Sequence, residues 1–216
     1  MRIAITGSSG FIGSALSARL LADGHEVVPV VRGAARPGSI RWDPSRGELD
    51  TADLEGLDAV VHLAGAGIGD HRWSAEHKRA VMESRRTGTT LLSEALAATS
   101  RKPAVLVSGS AIGWYGDRGD EVLTEASGPG TGFLAEVCLT WEAGTEAAAE
   151  AGIRVAHLRT GLVLDDHGGV LPRMALPFKL FVGGRLGSGR QWMSWIHLAD
   201  EIGAIRHLLT HDVAGP

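Results

Sequence analysis

Three glycines, Gly7, Gly10 and Gly13, stand in TGSSGFIG, directly after the apolar run RIAIT and at the head of FIGSALSARLLA. In a strand–turn–helix each has its own task. Gly7 permits the tight turn, Gly10 lets backbone approach a pyrophosphate, and Gly13 lets the helix pack on the strand. The helix start then aims free N–H groups and its dipole at the same point, so the stretch reads as a phosphate cradle for a dinucleotide. The end of the second apolar run selects the cofactor. An acid there would hold a ribose 2′-hydroxyl and favour NAD. The run ends VVPVVRG, no acid falls between Val27 and Trp42, and Arg32 stands in that place. A guanidinium holds a 2′-phosphate by charge-assisted, bidentate bonds, and Arg36 follows closely as a second cation. The expected cofactor is NADP(H).

Proton-transfer chemistry has fewer candidates. Tyr115, in SGSAIGWYGDRG, is the only tyrosine, and the residue one helical turn later is Gly119. A phenol titrates near pH 10 and needs a cation held close by to ionise at neutral pH. Lysine occurs only at Lys78, Lys102 and Lys179, and Arg118 is flanked by Asp117 and Asp120. Ser110 can hydrogen-bond a substrate oxygen, and Ser108, two residues earlier, shares its face of a strand. His62, among apolar strand residues, reads as packed core. Cys138 reads as a small buried hydrophobe. A single cysteine excludes an internal disulfide and a multi-cysteine metal site, and the histidines show no metal spacing, so no metal site is expected. Trp141 and Glu142 read as helix packing. Arg185, Arg190, Trp192 and Trp195 lie in a stretch rich in Gly, Arg and Trp. That stretch is either a substrate-side loop offering anion and ring contacts or a packed surface loop.

The elements that must position these groups alternate. Strands are expected at RIAIT, HEVVPVV, SIRWD, LDAVVHLAG, AVLVSGS and RVAHLRTGLVL. Helices are expected at FIGSALSARLLA, WSAEHKRAVMESRRTGTTLLSEALAAT, FLAEVCLTWEAGTEAAAEA and HLADEIGAIRHLLT. From Gly168 to the last helix the text is Gly-rich and reads as irregular. Such alternation predicts an α/β fold of Rossmann type, a doubly wound parallel sheet with helices on both faces. No linker divides the chain, so residues 1–216 are expected to form one dinucleotide-binding domain, with residues 165–200 contributing to the substrate side. With 44% hydrophobic and 21% charged residues and a net charge of −4 in mixed order, no electrostatic footprint for nucleic acid or an anionic membrane appears. No apolar run approaches spanning length and no leader pattern opens the chain, so a cytoplasmic location is expected. An oligomer is neither indicated nor excluded.

Together, TGSSGFIG, HLAGAGI, SGSAIGWYGD and RTGLVL resemble the extended short-chain dehydrogenase/reductase superfamily. More narrowly, RWS, ESRRTGTTLL, WEA, LPFKL, GGRLGSG and WIHLADEIGAI resemble its epimerase-family proteins, often described as nucleoside-diphosphate-sugar epimerases or cell-division-inhibitor-like proteins. The ordered set covers essentially the whole chain. The resemblance implies NADP contacts at Gly7, Ser9, Gly10, Phe11, Ile12 and Gly13. It implies further contacts at Val31 and Arg32, at Leu63, Ala64 and Gly65, at Arg85 and at Val163. For Arg85 the residues alone suggest a solvated helix face equally well. The resemblance makes Ser110 the counterpart of the superfamily's substrate-polarising serine, and Tyr115 the counterpart of a loop-shaping tyrosine. The superfamily's catalytic Tyr-x-x-x-Lys pair falls on Leu134 and Cys138, and no such pair occurs anywhere in this chain. Members of the family continue several tens of residues beyond the position of Pro216, which implies a small or truncated substrate-side lobe here. Two functions follow as expectations. One is an NADP-dependent epimerase-like or oxidoreductase-like enzyme acting on an unknown small substrate, with nucleotide sugars included. The other is a non-catalytic NADP(H)-binding sensor or regulatory protein.

Overall fold

Alternation along RIAIT sets the frame. In β1 (Arg2–Thr6), Ile3 and Ile5 face one side of a sheet and Ala4 the other, and all three are fully buried. A strand buried on both faces needs helices on both sides. The computed structural model describes every residue except Ala35 and Leu186, and it supplies those helices. After α1 (Phe11–Ala22) come β2 (Glu26–Arg32), β3 (Ile40–Asp43), β4 (Glu48–Leu49) and β5 (Ala59–His62). Then follow α2 (Ala75–Ala97), β6 (Val105–Ala111), α3 (Phe133–Ala143), α4 (Glu146–Glu150) and β7 (Arg154–Thr160). The sheet order is β4-β3-β2-β1-β5-β6-β7, parallel except for β4. Chain direction across the sheet reverses between β1 and β5, the crevice where open α/β sheets bind ligands.

The two faces carry separate cores. Ile3, Ile5, Val61 and Val107 pack with Leu16 and Leu20 of α1. Ile202, Ile205 and Leu209 of α6 (Leu198–Thr210) complete that face. Ala4, Val28, Val60 and Leu106 pack with Leu92 and Leu96 of α2 and Ala148 of α4. The Rossmann-type expectation therefore holds.

Three local expectations do not. The helix expected from Phe133 to Ala151 breaks at Gly144–Thr145. There Thr145 turns its hydroxyl onto the Glu142 carbonyl at 2.7 Å, and Gly144 presses against Thr89. The sixth long strand breaks at Gly161, where a side chain would strike Ser194. Its continuation, β8 (Leu162–Asp165), pairs with β9 (Gly168–Gly169) and β10 (Trp195–His197) in a second, three-stranded sheet. The stretch expected to be irregular contains α5 (Leu171–Lys179), which opens with Pro172 in its first turn, where a missing N–H costs nothing. Among the described residues no helix is long and apolar enough to cross a membrane.

Candidate cofactor and substrate cleft

The glycine turn closes onto the end of β5. Gly7 has φ +69°, and a Cβ there would lie 3.0 Å from Leu63 C and Ala64 N. A Cβ on Gly13 would overlap the Gly7 carbonyl, so helix and turn touch backbone to backbone. Gly10 donates its N–H to Gly7 O at 2.9 Å and forms the N-cap of α1. No side chain caps that helix and no acid stands in its first turn, which spans Phe11, Ile12 and Gly13. Uncapped N–H groups at an exposed, glycine-lined turn suit an anion, and the residues present therefore fit a dinucleotide phosphate. Ser9 and Gly10 are exposed on this turn.

His62 bolts the turn to the sheet. Thr6 Oγ1 accepts the N–H groups of Leu63 and Ala64, both at 3.1 Å, so its own hydrogen goes to His62 Nδ1 at 2.7 Å. Nε2 then carries the ring proton and donates to Thr89 Oγ1 at 3.0 Å. Burial, with the Arg85 guanidinium nearby, pushes the imidazole down to about 4. His62 is neutral and structural, as its setting in the sequence implied.

Arg32 ends β2, exposed, and forms no ion pair with any described residue. Val31 beside it is half-buried, and Arg36 is exposed. A cleft of about 720 Å³ is lined by Phe11 of α1, by residues of α3 and by Arg173 of α5. One wall is the face of α3 that carries Leu134, Val137, Cys138 and Trp141. Leu134 and Cys138, the positions that resemblance assigns to the absent tyrosine and lysine, thus stand on the cleft itself. Burial pushes the Cys138 thiol up, which leaves it protonated. Thr160 supplies the one hydroxyl among the described lining residues. Its Oγ1 donates to Glu201 Oε1 at 2.7 Å, and burial raises that carboxyl although the Thr160 bond opposes it. Nothing in the sequence pattern singled out this pair. Its only sign was an acid on the inward face of the last amphipathic helix.

Of the two readings of Arg85, the structure removes one. Arg85 is not on a solvated helix face; it is 6% exposed and lines the cleft behind Gly65 and Ala66. Val163 lies on β8 one residue beyond the lining residue Leu162, paired with Ile196.

Ser110 and Tyr115 meet behind the wall rather than on it. Ser110 Oγ donates to Glu142 Oε1 at 2.6 Å. Arg159 grips both oxygens of Glu142, each at 2.9 Å, and its Nη1 donates to Tyr115 Oη at 3.2 Å. The guanidinium also lies over the Trp114 ring at 3.9 Å. Burial alone would raise the Glu142 carboxyl, but the Arg159 and Ser110 hydrogen bonds hold it below its ordinary value. Glu142 is therefore an ionised member of a buried network, not packing material. Tyr115 does have a cation beside it, brought by β7 from outside its own loop. The register pairs Ser110 with Arg159 across β6 and β7, and that pairing of the two strand ends was the available signal. Ser108 is fully buried and bonds only weakly, to Gly109 O at 3.3 Å. Trp192 donates to Asp120 Oδ1 at 2.7 Å, while Arg185, Arg190 and Trp195 are exposed and off the cleft.

A model of the NAD dependent epimerase/dehydratase family matches residues 3–216. The epimerase family protein Mb2239 of Mycobacterium bovis is 45% identical over 216 residues, which cover 99% of this chain and 71% of that protein. Human epimerase family protein SDR39U1 (isoform 2), solved with NADPH, superposes with a TM-score of 0.89 at 34% identity, over 100% of this chain and 72% of that one. The nucleoside-diphosphate sugar epimerase of Corynebacterium glutamicum gives 0.87 at 43% identity, and this chain spans only 45% of its length.

Proposed function

This chain belongs to the NAD dependent epimerase/dehydratase family, and we propose that within it the protein binds NADP(H) and acts on a small substrate in the cleft. The observation that carries the choice of cofactor is Arg32, unpaired at the end of β2 where an acid would select NAD. The NADPH in the human SDR39U1 structure supports the same reading. The first-turn N–H groups over Ser9, Gly10, Phe11, Ile12 and Gly13 would hold the pyrophosphate, and Arg32, with Val31 beside it, the 2′-phosphate. Leu63, Ala64 and Gly65 would face the adenosine side and Val163 the far end. Bound there, NADPH supplies a hydride equivalent for a carbonyl carbon. Thr160 Oγ1, its hydrogen given to Glu201, is the hydroxyl on the wall that would accept a hydrogen bond from a substrate O–H or N–H. Ser110 and Tyr115 act from behind that wall, fixing the 3-10 turn Ile112–Tyr115 against β7. Nucleotide sugars are one substrate class to test.

One observation favours a second reading, a non-catalytic NADP(H) sensor. The α3 face offers Leu134 and Cys138 where the resembled superfamily has its acid/base pair. Titration with NADPH and NADH tests the first claim. Loss of NADPH absorbance with a panel of aldehydes, ketones and nucleotide sugars separates the two readings: turnover with any of them favours the enzyme, none the sensor.

A further inference from the structure

Two imidazoles meet at the far end of α6. His207 lies in its last turn and His211 is its C-cap. Their ring centres are 3.8 Å apart and their planes 17° from parallel. His211 has left helical geometry, at φ −114° and ψ 152°. Sequence spacing therefore does not reveal that the two rings meet, which is why no metal site is expected from it. The structure also settles which nitrogen of His211 is available. Nδ1 lies 3.0 Å from the His207 carbonyl, which only accepts, so Nδ1 carries the ring proton and the neutral ring keeps its lone pair on Nε2. A ring N–H given to a backbone carbonyl is the arrangement that orients metal-binding histidines. The His207 ring makes no hydrogen bond among the described residues, and both side chains are exposed.

The surroundings suit a cation. The pair lines a hollow of about 270 Å³ that shares no lining residue with the cleft. The carbonyls ending a helix carry negative potential. Arg206 also lines the hollow, but it is paired with Asp23 at 2.8 Å, which offsets its charge. His25 lines it too, with Nδ1 turned to the Met1 amine at 3.3 Å. The three histidines do not bring their nitrogens within 4.8 Å of one another, so His25 stands outside the pair. Among the described residues Asp165, Asp166 and His167 do gather that closely. They form an exposed turn whose imidazole already lies against both carboxylates, and nothing further there points to an ion.

We propose that His207 and His211 chelate a divalent transition-metal ion of the zinc class, with water filling its other positions. Imidazole is a ligand that zinc, copper and nickel share. Two nitrogens about 2.0–2.1 Å from a tetrahedral zinc stand about 3.4 Å apart. Rings already 3.8 Å apart need only a small turn of His207 to aim both lone pairs at one ion.

Calorimetric titration of the untagged, metal-free chain with Zn²⁺ tests this. The expected result is one ion per chain. His207→Gln and His211→Gln should each weaken it at least about tenfold, since losing even an outer partner of a ligand costs roughly 10–100-fold. His25→Gln and Asp166→Asn should bind as the unmodified chain does. Melting gives a second reading. Zn²⁺ should raise the midpoint of the unmodified protein and leave that of His207→Gln where it was, because an ion that binds only the folded chain stabilises it. Absence of binding to the unmodified chain overturns the proposal, and so does binding that survives His207→Gln or His211→Gln undiminished. A tenfold loss in His25→Gln or Asp166→Asn overturns it as well, by placing the ion elsewhere. If either α6 variant does not fold, His207→Asn and His211→Asn take its place, with the same loss required.

Discussion

Tyr115 takes its place from a guanidinium 44 residues away. Arg159 donates to its hydroxyl, but that cation is already gripped through both oxygens by the buried Glu142. A cation committed in this way anchors a phenol more than it ionises one, and the ring lies off the cleft wall. Tyr115→Phe should therefore lower unfolding free energy by about 1 kcal/mol, the worth of one hydrogen bond. It should leave NADPH affinity within about twofold. Denaturant unfolding and cofactor titration read the two effects. If an activity is found, a loss of roughly a thousandfold in the variant would make Tyr115 the acid/base after all. The sequence placed Tyr115 in a loop and showed no lysine near it, and both observations stand. It could not show Arg159, because neighbours across a parallel sheet are set by strand register and lie tens of residues apart. The residues alone left Arg85 open between a cleft contact and a solvated face for a related reason. Whether a long helix turns an arginine to solvent or to a cleft depends on what packs against it.

At the scale of elements the glycine turn is the most constrained piece. Gly13 of α1 lies against the Gly7 carbonyl and has no room for a Cβ, whereas Gly203 of α6 faces open space. Gly13→Ala should cost about 1–3 kcal/mol by overpacking and weaken NADPH binding, since the turn must shift. Gly203→Ala, at a helix-interior glycine, should be neutral or stabilise by up to about 1 kcal/mol. Equal melting of the two variants, with equal cofactor affinity, would show that the turn is not held by this contact. The turn was legible because the strand, the glycine spacing and the first turn of the helix all fall within the first thirteen residues. The same local logic found α1 from Phe11 to Ala22 and β1 from Arg2 to Thr6. It failed where tertiary contacts decide. Gly144 and Gly161 interrupt apolar patterns that look continuous, and each break is enforced by a neighbour, Thr89 or Ser194, that the pattern does not contain. α5 was hidden by Pro172 and Pro177 and by the glycines that follow it.

Across the whole molecule, the C-terminal edge of the sheet joins the turn, His62 and the cleft. His62 stays neutral in the fold down to about 4, while in the unfolded chain it takes up a proton near its ordinary value of 6.5. Between those values the unfolded state binds more protons, so stability falls as pH falls from about 6.5 to about 4. At about 1.4 kcal/mol per pH unit the loss is of the order of 3 kcal/mol. The Glu201 carboxyl, raised by burial, works in the opposite direction, so the comparison must be with a variant. Unfolding curves for His62→Gln should show a shallower loss over this window than the unmodified protein, and parallel curves would refute the assignment. The same sheet edge carries the account's central claim, that Arg32 selects the phosphorylated cofactor. The direct measurement is the ratio of dissociation constants for NADH and NADPH, taken on the unmodified protein at one ionic strength. One charge-assisted contact predicts NADPH tighter by roughly tenfold to a hundredfold, with the preference lost in Arg32→Asp. Equal affinity for the two nucleotides, or a preference that survives Arg32→Asp, would contradict it.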